Sequence, residues 1–368
     1  MRSNTRVFLF AGCLALALSS CSGPAPAVEV APTGTAAPAA ETRSVDLAPV
    51  KDYVVEHATA MQAGAEALQA TAEAYYALIE AAGFDYQAAW EAHPQELADL
   101  AADAKDQWLE TSTHYELNEG LIAGVPSLSH FDVLLDAGPS GEEAPDEALD
   151  WTLELPNGER LEKPGNYFHN LLEPSVWGTD ERYTGAQVDL DGDGQLELGE
   201  TLPEANVFLA ASRGLAETSV EMLAAVNAWE PTTEDTFTAL AIMIPTMNEY
   251  FEQWKLSAFV AGDEFEEAAF VGASRLFDIV NILNGLDLTY QNLSPLVVGT
   301  DAELDEQIRA GFTSLRSYVD DLYQRELQGE RFSADQADLF GSEAQSRATA
   351  LVGQVMQAAG LLNVTVAE

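Results

Sequence analysis

The fold of this chain is decided by residues 46–83, DLAPVKDYVVEHATAMQAGAEALQATAEAYYALIEAAG. Apolar side chains recur in this stretch at three- and four-residue spacing, and only Gly64 interrupts the pattern. Such periodicity predicts one long amphipathic helix over 46–82 that ends at Gly83. Because one face of this helix is apolar, it requires other elements to cover that face.

Further helical patterns follow, and they predict an all-α protein. In the first half of the chain, helices are expected over 86–93 and 94–121. In the second half they are expected over 204–228, 233–261, 263–289, 301–328 and 333–361. This arrangement is typical of two antiparallel helical bundles. We therefore expect an N-terminal helical domain over 46–205 and a C-terminal bundle over 206–368.

Residues 123–203 have a different texture, because Gly, Pro and Asp become frequent and the helical periodicity weakens. The segment WTLELPNGERLEKPG, residues 151–165, alternates in the manner of a β-hairpin. Asn157-Gly158 is a typical two-residue hairpin turn. We therefore expect an irregular insertion between the two bundles.

This insertion contains the sequence DLDGDGQLELGE, residues 189–200, which matches the twelve-residue EF-hand loop. Carboxylates stand at positions 1, 3 and 5, glycine at position 6 and a bidentate glutamate at position 12. The alternative is an acidic, glycine-rich surface turn that holds no metal. Because Pro203 follows closely and no second loop is present, we expect the calcium ion to hold this region in place structurally. We do not expect a calcium sensor that opens a groove. The predicted Ca²⁺ ligands are Asp189, Asp191, Asp193, Gln195, Glu197 and Glu200.

The first residues indicate export. Two arginines precede an apolar stretch of twelve residues, 7–18, which is too short to span a bilayer permanently and suits a signal peptide. The stretch ends in Leu-Ser-Ser-Cys21, which resembles a lipobox. We expect a signal peptide over 1–20, a lipid on Cys21 and a Pro/Ala-rich tether over 21–45. The alternative is an ordinary signal peptide with a chance cysteine.

A lipid on Cys21 makes the cell envelope the expected location. The protein would be anchored to a membrane on its periplasmic or cell-surface side, and to the outer membrane in a Gram-negative host. The chain has two cysteines, Cys13 and Cys21. Since the first leaves with the signal peptide and the second carries the lipid, no internal disulfide is expected.

The charge of the chain excludes one class of partner. It contains 16 Lys+Arg against 61 Asp+Glu, and its formal net charge is −45. A surface this acidic repels nucleic acid and concentrates cations. Adaptation to a salty medium would explain the same composition, and the two explanations are compatible.

Two clusters of possible metal ligands lie in the first half of the chain. One contains two glutamates three residues apart and two aspartates four residues apart, and each pair would share a helix face. The other contains an imidazole and a carboxylate four residues apart, which could hold one cation. The alternative is that such pairs lie on a solvated face of an acidic protein. The residues are Glu116, Glu119, Asp132, Asp136, His169 and Glu173.

Several segments resemble the imelysin-like superfamily, and within it the EfeO/EfeM-type iron-transport lipoproteins. They are YELNEGLIAGVPSLSHFDVLLDAGPSGEEAP, PGNYFHNLLEPSVWGTD, TALAIMIPTMNEYFEQWKLSAFVAG and SRLFDIVNILNGLDLTYQNLSPLV. The resemblance covers about residues 46 to 365. It implies two helical bundle domains and a metal-dependent role in iron acquisition. The hallmark His-x-x-Glu corresponds to His169 and Glu173, but here the glutamate follows four residues after the histidine.

These observations lead to one hypothesis and two alternatives. We expect a membrane-anchored protein that binds Fe²⁺ or Fe³⁺ (Zn²⁺ or Cu²⁺ suits the same donors) and Ca²⁺, and that delivers iron to a permease. The first alternative is an imelysin-type metallopeptidase, although no HExxH, GxSxG or other catalytic motif supports an enzyme. The second is a module that binds a polysaccharide or a protein and carries structural calcium.

Overall fold

The computed structural model describes residues 45–265 and 268–367. The predicted signal peptide, Cys21 and the tether as far as residue 44 lie outside the described residues. The described residues belong to one compact unit. Its division into two domains at residue 205 stays a prediction.

The N-terminal half is built on two long helices that pack along each other. The long amphipathic helix is present as α1, and it approaches α3 closely at Gly64, where an added Cβ would lie 2.4 Å from Thr111 Oγ1. The helices of this half are α1 (Ala48–Ala81), α2 (Tyr86–Ala92), α3 (Pro94–Ile122) and α4 (Ser129–Leu135).

The expected hairpin forms from β1 (Thr152–Glu154) and β2 (Arg160–Glu162), which pair antiparallel. Leu155 accepts a hydrogen bond from the Gly158 N–H at 2.9 Å. Gly158 has φ +87°, a conformation that glycine adopts without steric cost. The Asn-Gly signal therefore located the hairpin, but the loop has three residues, 156–158, because only Gly158 of the pair has a positive φ.

After the hairpin the chain forms a π-helical turn (Tyr167–Leu172), α5 (Glu173–Trp177) and a 3₁₀ turn (Glu181–Tyr183). Two short antiparallel strands follow, β3 (Thr184–Gln187) and β4 (Thr201–Pro203). The EF-hand-like sequence, which we call the acidic loop (residues 189–200), connects these strands. Strands flank it where an EF-hand has helices.

The second half is helical, and the all-α prediction is confirmed. Pro245 lies in a 3₁₀ turn (Ile244–Thr246), and Gly262–Glu264 forms another. The α-helices are α6 (Ala205–Ala228), α7 (Thr233–Met243), α8 (Met247–Leu256), α9 (Ala258–Ala261), α10 (Arg275–Val298), α11 (Ala302–Leu327) and α12 (Ala334–Leu362).

Two predicted helices in this half, 233–261 and 263–289, differ from the observed ones. The helix expected over 233–261 is interrupted at Pro245, which has no N–H for the helical ladder, and again at Ser257. The Ser257 side chain accepts a hydrogen bond from the Phe259 N–H and starts a new helix. Periodicity alone did not register these interruptions, because the apolar pattern continues through them.

The helix expected over 263–289 also has different bounds. It starts at Arg275, after the N-cap Ser274, and continues through Pro295 to Val298. Residues 268–274 stay irregular instead. Their backbone N–H groups are thereby free to bind a side chain from another element, as described below.

The two halves are joined by direct helix packing. Helix α1 packs along α3 and α6, while α10 packs against both α3 and α11. The junction of α3, α4, the π-helical turn and the start of α10 places polar residues inside the core. Among the described residues, no helix has the length and apolar character needed to cross a bilayer.

Candidate metal centre

Two carboxylates of α3 begin the site. Glu116 and Glu119 are 0% and 3% exposed, and their spacing puts them on one face of the helix. The Tyr250 hydroxyl donates a hydrogen bond to Glu119 Oε1 at 2.9 Å. Within the described part of the chain, neither oxygen of Glu116 nor Oε2 of Glu119 has a hydrogen-bond partner. Buried oxygens without donors are costly, so these atoms are suited to accept a cation.

Helix α4 brings two more carboxylates to the same place. Asp132 lies within α4, and Asp136 is the residue at which α4 ends. The Tyr115 hydroxyl donates to Asp132 Oδ1 at 2.6 Å. Asp136 Oδ1 lies 2.9 Å from His169 Nε2. Both predicted acidic pairs are therefore buried in one interior site.

The imidazole of His169 is held from both sides. Its backbone N–H donates to the Asn166 side chain at 2.7 Å, which caps the π-helical turn. Its ring contacts Asp136 through Nε2, while Nδ1 lies 2.8 Å from Glu173 Oε2. A ring fixed in this way presents Nε2 towards Asp136.

Glu173 orients the histidine and has no oxygen left over. Its Oε2 accepts a second hydrogen bond from the Phe270 N–H at 2.9 Å. Its Oε1 accepts from the N–H groups of Val271 and Gly272, both at 2.8 Å. This contact explains why residues 268–274 do not join α10, since helical hydrogen bonding would remove these donors. A carboxylate that fixes a metal-binding histidine from behind is a common supporting arrangement.

A buried arginine lies beside the carboxylates. Arg275 NH1 is 3.9 Å from Glu116 Oε2 and 3.1 Å from Asp278 Oδ2, and NH2 is 4.0 Å from Asp136 Oδ2. Its guanidinium lies 4.4 Å from the centroid of the Tyr250 ring. It partly compensates the negative charge of the site without contacting the free Glu116 oxygens at hydrogen-bond distance.

Burial and mutual repulsion change the acidity of these groups. Burial raises the pKa of Glu116 well above its usual value, and the charge of Asp278 raises it further. Burial likewise raises the pKa of Asp132 and raises that of Glu119 to about 7. Burial would lower the pKa of His169, but the charges and hydrogen bonds of Asp136 and Glu173 together outweigh burial and raise this pKa to about 10. A metal-free site therefore holds protons that a bound cation would displace.

The possible donors fall into two overlapping groups. Glu116, Asp136 and His169 offer atoms within 4.8 Å of one another, and so do Glu119, Asp132 and Asp136. Glu173 belongs to neither group among the described residues. The second group opens on a cavity of about 510 Å³, with exposed Glu143, Glu147 and Glu249 also in its wall.

The sequence model of the imelysin family matches residues 49–362. This chain belongs to the imelysin family. The match covers nearly all of the described helices, so the predicted superfamily is confirmed, and the EfeO/EfeM-type subgroup stays a prediction. No curated protein sequence matches the chain.

The imelysin membership makes the unusual spacing of His169 and Glu173 informative. The expected motif separates histidine and glutamate by three residues, and this chain separates them by four. Residues four apart share a helix face, as residues three apart do. The two side chains therefore still meet at 2.8 Å.

The acidic loop forms a second group of possible ligands. Atoms of Asp189, Asp191 and Glu200 lie within 4.8 Å of one another. Asp189 accepts hydrogen bonds from the N–H groups of Gly192 and Gly194 at 2.7 and 2.8 Å, and both glycines have positive φ. Of the other predicted ligands, Asp193 accepts from the Gln195 N–H at 2.7 Å, and Glu197 lies outside the group.

The remaining histidines lie outside both groups. His93 is exposed and lies 3.2 Å from Glu96. The His130 ring packs on Phe131, with 4.0 Å between centroids, so its proximity to Asp132 in sequence does not make it part of the centre. His57 on α1 and His114 on α3 face each other.

Sequence reasoning missed Arg275, Asp278 and Tyr250. A signal was present, because an arginine and an aspartate three residues apart stand at the start of an apolar helix in a chain with only 16 basic residues. Charged residues in an apolar segment are seldom buried without a partner. That rule would have placed both side chains next to opposite charges.

Proposed function

We propose that this imelysin-family protein binds iron at the His169 centre and acts in iron uptake as a lipid-anchored protein of the cell envelope. The observation that carries the proposal is the convergence of one imidazole and four carboxylates in a buried site, with three carboxylate oxygens that lack any donor within the described residues. Buried polar atoms of this kind are normally satisfied. A cation bound by either of the two overlapping donor groups would supply the partner that these oxygens lack.

The chemistry of the donors supports a hard or borderline cation. Carboxylate oxygens and one imidazole nitrogen suit Fe²⁺, Fe³⁺, Zn²⁺ or Mn²⁺, and the absence of any sulfur donor among the described residues of the site disfavours Cu⁺. Glu143, Glu147 and Glu249 add negative charge around the cavity, which raises the local concentration of cations. The task we assign is capture and transfer, with no covalent step.

We assign Ca²⁺ to the acidic loop as a separate structural ion. Asp189, Asp191 and Glu200 are the carboxylates that would hold it directly, joined by backbone oxygens and water. The ion would connect the ends of β3 and β4, because the loop joins these two strands. Lys105 donates to the Gly199 carbonyl at 2.6 Å, so the clamped loop would also be fastened to α3.

The cellular setting is part of the same proposal. A lipid on Cys21 would hold the protein at the membrane, and residues 22–44 would give the folded part its reach. A membrane permease for iron is the partner that a metal-capturing protein in this position requires. Radiolabelled palmitate incorporation that is lost in Cys21→Ser would support the anchor, and unchanged incorporation would overturn it.

Anaerobic calorimetry with Fe²⁺ tests the metal site. The protein is first saturated with Ca²⁺, so that the acidic loop does not contribute. We expect a further binding event that Glu119→Gln weakens and Glu326→Gln does not, since Glu326 is a buried carboxylate that accepts from Trp254 and belongs to neither donor group of the centre. The lack of any event in the unaltered protein would overturn the proposal.

The same preparation tests the peptidase alternative. Metal-loaded protein is incubated with unlabelled peptides, and the products are separated by mass. We expect no cleavage. Cleavage that disappears in Glu173→Ala would replace the transport function by a metallopeptidase.

A further inference from the structure

A pair of histidines on α1 and α3 forms a second cluster of nitrogen donors. His57 Nδ1 and His114 Nδ1 are 3.1 Å apart, and the ring centroids are separated by 5.4 Å with 31° between the planes. Both side chains are half-buried, so solvent and small ions reach them. The pair depends on helix packing, since the two residues are 57 positions apart in sequence.

The separation of the two nitrogens suits one metal ion. Imidazole nitrogen binds Zn²⁺ at about 2.0–2.1 Å. Two such nitrogens lie about 2.9 Å apart when the angle at the metal is 90°, and about 3.4 Å apart at the tetrahedral angle. The observed 3.1 Å lies between these values. An ion could therefore bind both rings without a change in the helix positions.

The surrounding structure holds the pair in place. The Tyr53 ring meets the His57 ring edge-on, with 4.5 Å between centroids. Two turns further along α1, Gly64 contacts α3 so closely that an added Cβ would lie 2.4 Å from Thr111 Oγ1. The spacing of the two helices is thus set by backbone packing next to the pair. A preorganised bidentate site loses little entropy when an ion binds.

The pair is separate from the iron-type centre. His114 and Glu116 are two residues apart on α3, and residues at this spacing point to different sides of a helix. Glu116 contributes to the buried centre, whereas His114 faces α1. Neither His57 nor His114 belongs to the carboxylate groups found among the described residues.

We propose that His57 and His114 form a second metal site, which takes a borderline divalent cation through both Nδ1 atoms and leaves its other positions to water. Imidazole donors suit Cu²⁺, Ni²⁺ and Zn²⁺, whereas Ca²⁺ and Mg²⁺ prefer oxygen. Among divalent ions of the first row, Cu²⁺ binds such donors most tightly. The site is independent of the iron assignment, because it shares no residue with it.

The competing explanation is a simple hydrogen bond between two neutral imidazoles. One Nδ1–H would donate to the other Nδ1 at the same distance. Electron paramagnetic resonance of bound Cu²⁺ separates the two explanations, because the spectrum counts the nitrogen nuclei on the metal. The His169 centre offers one imidazole, and the His57–His114 pair offers two.

The experiment adds two equivalents of Cu²⁺ to calcium-saturated protein, so that the His169 centre and the His57–His114 pair can both be filled. We expect a species coupled to two nitrogens, and we expect His57→Gln and His114→Gln each to abolish it and to weaken Cu²⁺ binding at this site at least tenfold. His169→Ala is expected to leave this species in place. The matched control is His93→Gln, which replaces an exposed histidine outside the pair and is also expected to keep it.

Three results would overturn the proposal. They are a spectrum with at most one coupled nitrogen, a two-nitrogen species that persists in both His57→Gln and His114→Gln, or one that is lost in His169→Ala. Circular dichroism of each variant establishes that the overall helical content is unchanged. Because the spectrum of the unaltered protein is decisive by itself, a variant that fails to fold does not prevent the test.

Discussion

The acidic loop and the His169 centre both bring carboxylates together. They differ in whether these residues are neighbours in the sequence or come from separate helices. The loop draws its possible ligands from twelve consecutive residues, 189–200, and most of these side chains are exposed. The centre draws on α3, α4 and the π-helical turn, and each of its side chains is at most 8% exposed.

This difference predicts different behaviour. The loop carboxylates already accept hydrogen bonds from loop N–H groups, such as those from Leu190 and Glu197 to Glu200 at 3.0 and 2.9 Å. The loop should therefore tolerate the loss of a bound ion as a local change. The centre has buried oxygens without donors, so a bound cation would affect the charge balance of the whole core.

The largest expected effect is that of His169→Ala, which should change Fe²⁺ binding at the His169 centre and leave the acidic loop unaffected. Removal of the only imidazole in the centre should weaken Fe²⁺ binding at least 100-fold, because changes to supporting residues alone cost about 10–100-fold. Calorimetry measures the affinity. Calcium binding by the acidic loop should stay the same, and unchanged Fe²⁺ affinity would remove His169 from the site.

Calcium removal is the next largest effect and should act on the loop alone. At a Ca²⁺ concentration a hundredfold above the dissociation constant, the ion adds about 2.7 kcal/mol to the free energy of unfolding. A chelator should remove this contribution and lower the melting temperature. Glu200→Gln should abolish the response.

The matched control for the loop is Glu197→Gln, since Glu197 lies outside the group of converging carboxylates. This variant should keep most of the response to Ca²⁺. If both variants lose the response to Ca²⁺ equally, Glu197 is a direct ligand of the ion. Loss of Fe²⁺ binding on calcium removal would mean that the two regions are coupled.

Glu173→Gln tests the support behind the imidazole. We expect Fe²⁺ affinity to fall about 10–100-fold. The free energy of unfolding of the metal-free protein should also fall by about 1–3 kcal/mol, because an amide cannot accept from all the backbone donors that now share this carboxylate. Calorimetry and urea unfolding measure the two effects. Glu326→Gln is the control, and wild-type affinity in Glu173→Gln would contradict the assigned role.

The smallest effect is the pH dependence of the metal-free protein. The pKa of Glu119 is raised from 4.5 to about 7 in the folded state. Between these values folded Glu119 binds more protons than it does in the unfolded chain, so its contribution to stability is greatest below pH 4.5 and is lost as the pH rises through 7. His169, with its pKa raised from 6.5 to about 10, adds a fall in the same direction at higher pH.

Urea unfolding at pH 5 and pH 8 measures this loss, which we expect to be roughly 1–3 kcal/mol. Glu119→Gln should make the dependence flatter, because it removes one of the titrating groups. A bound metal should do the same, since it replaces the protons. Stability that rises from pH 5 to pH 8 in the metal-free protein would contradict the buried-carboxylate account.

Sequence reasoning found the helices well where a single physical rule governs them. The amphipathic pattern of 46–82 became α1 with bounds within two residues of the expected ones, and Asn157-Gly158 became a hairpin turn. It failed at residues 268–274, which lie outside any helix and from which Phe270, Val271 and Gly272 donate to Glu173. That partner is about a hundred residues away, so no local pattern contains it.

The candidate centre shows the same limit. Spacing alone put Glu116 with Glu119 and Asp132 with Asp136, because these pairs lie on single elements. It did not reveal Arg275, which arrives from α10. It also counted Glu173 among the ligands, whereas its oxygens are occupied by His169 and the backbone.

The sequence by itself determined the all-α class, the imelysin resemblance and the form of the acidic loop, since each depends on residues close together along the chain. Only the tertiary structure decided which carboxylates meet, which of them lack donors and which histidines face each other. Those facts depend on distances between elements, and packing sets these distances over the whole core. The local pattern of residues does not predict these distances.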